Sequence, residues 1–526
     1  MSPTTYISAS IALSACIFVA HANAANPPAQ RPNILFIMSD DHASHSLSTY
    51  GSKINQTPHL DKIAADGIRF NNAFVTNSIC TPSRATVLTG KYSHKNGTHV
   101  FNAFNGEQQT VSKILREAGY YTAMVGKWHL GTDPTGFDYW NILPGQGAYN
   151  NPSLYTAEGD RVYFGHASKV LTDIGIETLK NRPKDKPFFL MLHHKAPHRN
   201  WIPDPENAAK FADRVIPEPE TLFDDYSTRP AALPSNKQTV RNDLHRGDLK
   251  IKHPEGLDEK AIRAWYKEFP KEVEITENGV QKTLVGDELF RWKYQRYMRD
   301  YLACVQGMDD QIGRLREWLK SEGLEENTLI IYTTDNGFFL GDKGMYDKRF
   351  MYEQALRIPL LVSWPKVIKP GQSTDLFALN VDYAPTFLDA AGVQIPADMQ
   401  GRSLLPIFKG ETPDQWRKSM YYRYYHDPGH HNTRAHYGVR TQTHKLIYFW
   451  KIDQWELFDL VNDPNEQKNI YDQPEAAEIQ KSLKAELAKL RTELQDEDQL
   501  ATEVPKDAVD AHTPKWQPGQ GPKGPL

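Results

Sequence analysis

What most restricts the fold is a set of short apolar runs that each end in polar or charged side chains. "PNILFIMSDD" (32–41) closes on two aspartates, and "NTLIIYTTDNG" (327–337) closes on Asp335 and Asn336. "TVSKILREAGYYTAMVGKWHLG" (110–131) reads as a helix, a turn at Gly119 and a strand that ends near Lys127 and His129. "KPFFLMLHHKAPH" (186–198) and "IPLLVSWP" (358–365) complete the set. Continuous apolar runs of this length fit strands covered on both faces. Their alternation with helical stretches predicts an α/β fold, a large mostly parallel sheet sandwiched by helices. In such folds the site forms at the carboxyl ends of the strands. Asp40, Asp41, Lys127, His129, His198, Asp335 and Asn336 all fall at those ends.

A chain of 526 residues exceeds one ordinary domain. Residues 25–405 are expected to form the large domain, with a Pro-, Asp- and Lys-rich insertion at about 202–287 near the rim of the site, including a hairpin at "TENGVQ". Residues 406–500 read as a smaller α+β domain of antiparallel strands and one helix, and 501–526 as a Pro/Gly-rich tail. Residues 1–24 read as an export signal: "YISASIALSACIFVA" is apolar and Ala22-Asn23-Ala24 fits a cleavage site, although no Lys or Arg precedes the run. Leu13-Ser14-Ala15-Cys16 offers a lipoprotein signal as the alternative. No later segment has the length and apolarity of a membrane span, so a periplasmic or secreted product is expected. A net charge of −4 argues against nucleic-acid binding through bulk charge.

Removal of residues 1–24 leaves two cysteines, and one disulfide between them is the plain expectation for an exported chain. Cys304, however, lies on the apolar stripe of a helix with Tyr301, Leu302, Val305, Met308, Ile312, Leu315 and Leu319, where a small buried thiol packs well. Cys80 then stands alone. Pro82 suits the first turn of a helix running to Gly90, which puts Cys80 at a helix N-terminus with Arg84 one turn in. Both features favour negative charge, so Cys80 reads either as a nucleophile that meets an anion or as a buried loop-end cysteine.

"CTPSRATVLTG" (80–90) resembles the C-x-P-S-R signature of type I sulfatases, a family of the alkaline-phosphatase-like superfamily. The resemblance continues through Asp40-Asp41, "GYYTAMVGKWHLG", "APHRNW", "TTDNG" and "YDKRFMYEQALRIPLLVSWP", in order, over roughly residues 31–405. It implies that Cys80 is oxidised to formylglycine by a formylglycine-generating or anaerobic sulfatase-maturing enzyme. The hydrated aldehyde then attacks sulfur with one hydroxyl, and loss of the other's proton collapses the hemiacetal and expels sulfate. Asp40, Asp41, Asp335 and Asn336 match the family's calcium ligands, with position 80 also touching the metal; oxygen donors of this kind suit Ca²⁺. By the same resemblance Arg84 holds the aldehyde hydrate, Lys127 and Lys348 contact sulfate, His129 assists hemiacetal collapse and His198 protonates the leaving alcohol.

These residues imply an exported carbohydrate sulfatase acting on a sulfated poly- or oligosaccharide. Aryl- or alkyl-sulfatase activity, phosphonate or phosphate ester hydrolysis, and a sulfated-glycan binder with a dead site are the alternatives. The complete set from Cys80 to Lys348 argues against the last of them. Arg199, Asn200 and Trp201, which follow His198, and Arg434 and His436 in the small domain are expected to line the leaving-group side.

Overall fold

The computed structural model describes Met1, residues 31–277, 279–497 and 505–508. The expected signal peptide with Cys16, and the tail apart from 505–508, lie outside the described residues. Among those described, a ten-stranded sheet runs in the order Gln372–Thr374, Ile68–Phe70, Leu360–Ser363, Thr328–Thr334, Asn33–Ser39, Phe188–His193, Tyr121–Lys127, Tyr139–Leu143, Ser153–Thr156 and Gly159–Val162. The five strands from Thr328–Thr334 to Tyr139–Leu143 are mutually parallel. Leu360–Ser363, expected among the parallel strands, pairs antiparallel with Thr328–Thr334 through Ile330↔Ser363 and Thr333↔Leu360. The chain between them forms a short β-pair at Phe339–Leu340 and Tyr346–Asp347 and a brief helix at Glu353–Leu356, and re-enters the sheet from the end it left.

The central strand shows why the sheet is covered on both faces. Ile34, Phe36 and Met38 project into one apolar layer, packed with Tyr383, Phe387 and Leu388. Leu35 and Ile37 project into the other, packed with the 36-residue helix Gly286–Ser321. The two-residue period of a strand therefore feeds two cores. Each fully buried Leu, Ile or Phe contributes roughly 1.5–3 kcal/mol to holding those layers on. The long helix buries Tyr301, Leu302, Val305, Met308, Ile312, Leu315 and Leu319, as its apolar stripe predicts, and Cys304 lies fully buried among them. Cys80 and Cys304 are both free thiols.

The small domain is a four-stranded antiparallel sheet (Ser419–Tyr424, His436–Thr441, His444–Phe449, Gln454–Asp459) carrying the helix Ala477–Leu494. It shares a third apolar cluster with Phe74, Phe350, Met351 and Tyr352 of the large domain. The insertion holds two short helices, Pro205–Phe211 and Glu259–Tyr266, and the hairpin strands Val273–Glu277 and Val280–Leu284.

Candidate active site

Asn33–Ser39 and Thr328–Thr334 pair in register, Ser39 beside Thr334. That register brings the residues just past both strand ends, Asp40-Asp41 and Asp335-Asn336, side by side, and all four are essentially inaccessible. Oxygens of Asp40, Asp41 and Asp335 lie within 4.8 Å of one another. Asp41 adopts φ +66°, a left-handed turn that reverses the chain straight after the strand.

Cys80 opens the helix Cys80–Thr89, which ends at Gly90 in the left-handed conformation (φ +64°) that favours glycine. The helix therefore aims its N-terminal backbone N–H groups at the strand ends, a direction suited to an anion. Cys80 Sγ lies 3.6 Å from Asp40 Oδ1 and 3.9 Å from Lys127 Nζ. Arg84, one turn in, donates through Nε (3.0 Å) and Nη2 (2.8 Å) to Asp335 Oδ2 and through Nη1 to the Lys127 carbonyl at 2.6 Å. Lys127 Nζ pairs with Asp40 and donates to Gln146 Oε1 at 2.6 Å; Lys348 Nζ pairs with Asp41. Thr81 Oγ1 donates to the His129 carbonyl at 2.9 Å and lies 3.4 Å from its Nδ1. His198 donates from Nδ1 to the Arg199 carbonyl at 2.7 Å, which turns Nε2 toward Asp41 Oδ2, 3.6 Å away. Cys80, Arg84, Lys127, His198, Lys348 and the four strand-end residues thus meet in one buried cluster, and His129 is tied to its edge through Thr81.

The three carboxylates of this centre face three cations, Arg84, Lys127 and Lys348. Burial works against the Asp40 charge, yet Lys127, Arg84 and Lys348 hold its carboxyl well below the usual range. Burial, reinforced by Asp40, Asp335 and Asp347, pushes the Asp41 carboxyl up to about 7 against the pull of Lys348. Burial raises the Cys80 thiol far enough to keep it protonated, so an unmodified thiol here is a poor nucleophile. Burial and the Lys127 charge hold His198 neutral.

The donors fit a hard divalent cation. Asp41 Oδ2 and Asn336 Oδ1 are buried without any hydrogen-bond partner; Asp41 lies among the Asp40 and Asp335 oxygens, and Asn336 is bonded to Asp41 through Nδ2. Orphaned buried acceptors of this kind are costly unless a cation or donor meets them.

The specificity residues divide. Arg199 is clamped by Asp248 (Nε–Oδ1 2.8 Å, Nη2–Oδ2 2.5 Å), and Asn200 donates to the same carboxylate at 3.2 Å. Trp201 is completely buried against Tyr297, Phe338 and Tyr346. It is a core residue and not a sugar platform. His436 is likewise buried: Nε2 accepts from Met351 N at 3.1 Å, Nδ1 donates to the Arg434 carbonyl at 2.9 Å, and the ring stacks on Phe350 and Tyr422. It braces the small domain. Arg434 spends its guanidinium on Asp427, at 2.8 and 3.0 Å.

Sequence reading passed over Gln146, Asp248, His431, and the pair Asp347 and Arg349 that flanks Lys348. Asp347 and Arg349 bond each other, are nearly buried, and both take positive φ (+80° and +84°). Strained backbone on both sides of a site lysine marks a segment shaped for recognition. Asp347 also pairs with His431 Nε2 at 2.9 Å, which ties the small domain to this edge of the site. His193, beside the site, lies 3.2 Å from Arg84 Nη1 through Nδ1.

Comparison with known proteins agrees with this geometry. Residues 32–393 match the family model "Sulfatase", and residues 341–493 match the model "N-sulphoglucosamine sulphohydrolase, C-terminal". The chain is 45% identical over 510 residues to an N-acetylglucosamine-6-O-sulfatase of Bacteroides thetaiotaomicron, covering 93% of this chain and 90% of that one. It is 28% identical over 424 residues to the N-acetylglucosamine-6-sulfatase of Homo sapiens, covering 75% and 67%. A protein solved in complex with its substrate D-glucosamine-2-N,6-O-disulfate superposes with a TM-score of 0.85 at 44% identity, covering 90% of this chain and all of the other. With its strand-end carboxylates, its helix-borne cysteine and these relatives, the chain belongs to the sulfatase family and hydrolyses sulfate esters.

Proposed function

We propose that this chain is an exported carbohydrate sulfatase that removes the 6-O-sulfate of a sulfated glucosamine residue. The substrate class is taken from the relatives of 44–45% identity that act on or bind such sugars. The observation that carries the mechanism is Cys80 at the N-terminus of its helix, held between Asp40 and Lys127.

In this reading position 80 works as formylglycine, whose hydrate offers one hydroxyl to sulfur and keeps a second to release sulfate. Ca²⁺, held by Asp40, Asp41, Asp335 and Asn336, would add positive charge to a centre whose own three carboxylates and three cations cancel. Lys127 and Lys348 bind the sulfate oxygens, and the carboxylates keep both ammonium groups oriented. Arg84 fixes the spacing of the site, because one guanidinium bridges Asp335 and the Lys127 backbone. His198 is oriented by its Nδ1 bond with Nε2 toward the centre; Nε2 takes up a proton once the anionic substrate is bound and passes it to the departing alkoxide, and His129 takes the proton whose loss ends the cycle. Asp347 and Arg349, rigid and paired, offer an acceptor and a donor for the ring hydroxyls of the sugar.

Sulfate release is the test. Glucosamine-6-sulfate should be turned over, while sugars sulfated at other positions and matched phosphate esters should not. Preferential release of phosphate would replace this reading with the phosphohydrolase one. N-terminal sequencing of the exported protein should begin after Ala24; a chain starting at a lipidated Cys16 would replace soluble export with a lipid anchor.

A further inference from the structure

The small-domain loop "HDPGHHN" (426–432) joins the strands Ser419–Tyr424 and His436–Thr441 and is rich in histidine. His431 is spent on Asp347 and on the Lys237 carbonyl. The other two have a different setting. His426 Nδ1 is buried with no hydrogen-bond partner. His430 Nε2 lies 2.8 Å from Oδ2 of Asp507, which belongs to the short described piece of the tail. One ligand atom of each of His426, His430 and Asp507 lies within 4.8 Å of the other two. The two imidazoles are 6.0 Å apart and inclined at 69°, so they meet edge to face and are not stacked.

We infer that His426, His430 and Asp507 form a zinc site that fastens the C-terminal tail to the small domain. Two imidazoles and a carboxylate are a donor set that Zn²⁺ takes with water in the fourth position, whereas Ca²⁺ and Mg²⁺ select oxygen. Bonds of about 2.0–2.1 Å place tetrahedral ligand atoms about 3.3 Å apart, so the His430–Asp507 contact has to open by only about 0.5 Å. Both side chains have room for that, since they are 47% and 38% exposed, and their open side admits the water. Zinc takes the lone pair of His430 Nε2 and leaves the ring proton on Nδ1. A bare His430–Asp507 ion pair this exposed contributes little, and it leaves the buried His426 nitrogen unmet.

Neighbouring charges leave the cluster to the metal. Asp427, the other carboxylate of the loop, is engaged by Arg434, and Arg349, whose charge reaches His426, is bonded to Asp347. The tail already has one backbone attachment beside the cluster: Ala508 N donates to the Phe101 carbonyl at 2.7 Å. The Phe101 ring stands perpendicular to His430 at 5.2 Å and meets His129 at 5.7 Å on its other side. A metal bound by Asp507 therefore turns a single hydrogen bond into a two-point anchor, one aromatic ring away from the catalytic cluster.

The test titrates Zn²⁺ into the full chain by calorimetry, with Ca²⁺ in excess throughout so that the strand-end oxygens do not compete. The parent should bind one equivalent of Zn²⁺ with a Kd of about 1 µM or below. His430→Ala and Asp507→Asn alter half-exposed side chains that the fold does not need, and each should weaken binding by at least ~10-fold. A second readout follows the tail itself. Zn²⁺ should slow tryptic cleavage after Lys506 by at least ~5-fold in the parent and leave it unchanged in His430→Ala. No zinc binding up to about 100 µM overturns the site. So does an unchanged affinity in either variant, which would place the bound zinc elsewhere. Cleavage after Lys506 that is indifferent to Zn²⁺ in the parent overturns the anchor.

Discussion

Asn336 donates from Nδ2 to Asp41 Oδ1 at 2.6 Å, and the bond leaves Asn336 Oδ1 and Asp41 Oδ2 as buried oxygens with no partner. Each such acceptor costs about 1–3 kcal/mol when left alone. Purified enzyme is therefore expected to carry one equivalent of Ca²⁺ by atomic emission, and Asp41→Asn to carry none. Activity of that variant should drop by at least ~10²-fold, and exhaustive chelation of the parent should lower both activity and melting temperature. Full metal content in Asp41→Asn would remove Asp41 from the ligand set.

Cys80 is expected to be an aldehyde in active enzyme. Peptide mass spectrometry should show loss of the thiol sulfur at position 80. Cys80→Ser, made in a host that converts only cysteine, should keep its fold and bind substrate but lose multiple turnover. A wholly unmodified thiol in a fully active preparation would refute the mechanism.

Gly126 links the sheet to the chemistry. It has φ +101°, and a Cβ there would lie 2.0 Å from the His193 carbonyl oxygen on the neighbouring strand. Gly126→Ala must separate two central strands, at a cost of about 2–4 kcal/mol. Because Lys127 follows directly, its ammonium should also shift from Asp40 and Cys80. Denaturant titration should show the lost stability, and kcat should fall by ~10-fold or more at temperatures where the variant is still folded.

Glu456 gives a pH dependence remote from the catalytic centre. It is fully buried against the Tyr352 hydroxyl (2.8 and 2.9 Å), with Arg229, Glu466 and Lys343 nearby. Burial, helped by Glu466, pushes its carboxyl up to about 7 from 4.5. Between those values the folded chain keeps a proton that the unfolded chain has lost, so this group lowers stability as pH rises from about 4.5 to 7. Glu456→Gln keeps a hydrogen-bonding side chain without the charge. It should be more stable than the parent at pH 8, by about 3 kcal/mol at most, and equal to it near pH 4.5, as read from urea unfolding. The same difference at both pH values would rule out titration as its cause.

His436→Ala should separate structure from specificity. A buried ring with both nitrogens engaged costs about 2–4 kcal/mol to remove. Its kcat/KM on glucosamine-6-sulfate should remain within about twofold of the parent when measured below the new melting temperature. A large KM change with unaltered stability would return His436 to the pocket.

Part of the candidate centre was legible in the sequence because several of its members follow an apolar run, whereas Lys348 was reached only through the family resemblance. Asp40-Asp41 and Asp335-Asn336 are visible as charge at the ends of buried strands, and Arg84 is visible one helical turn after Cys80. Strand direction was less legible: "IPLLVSWP" has the same continuous apolarity whether it runs parallel or antiparallel, and only its same-end connection decides. Asp347 and Arg349 were missed because their signal is backbone conformation, which residue type does not reveal. Trp201 and His436 were misplaced because aromatic and imidazole side chains serve cores and sugar pockets alike. Asp248 lies in an insertion without periodicity, so only the folded chain shows that it faces Arg199.

The register of Ser39 against Thr334 sets an order of events in time. Those residues are almost 300 positions apart, so the first strand waits for most of the polypeptide to be made before the partner on that side exists. Cys80, 1% exposed in the finished molecule, is sealed by that partner's end through Arg84 and Asp335. An oxidising enzyme is far too large to enter the closed centre. On the proposed formylglycine reading, the enzyme that matures Cys80 acts on the growing or still-open polypeptide, and protein that folds ahead of it is committed, for as long as it stays folded, to an inert thiol.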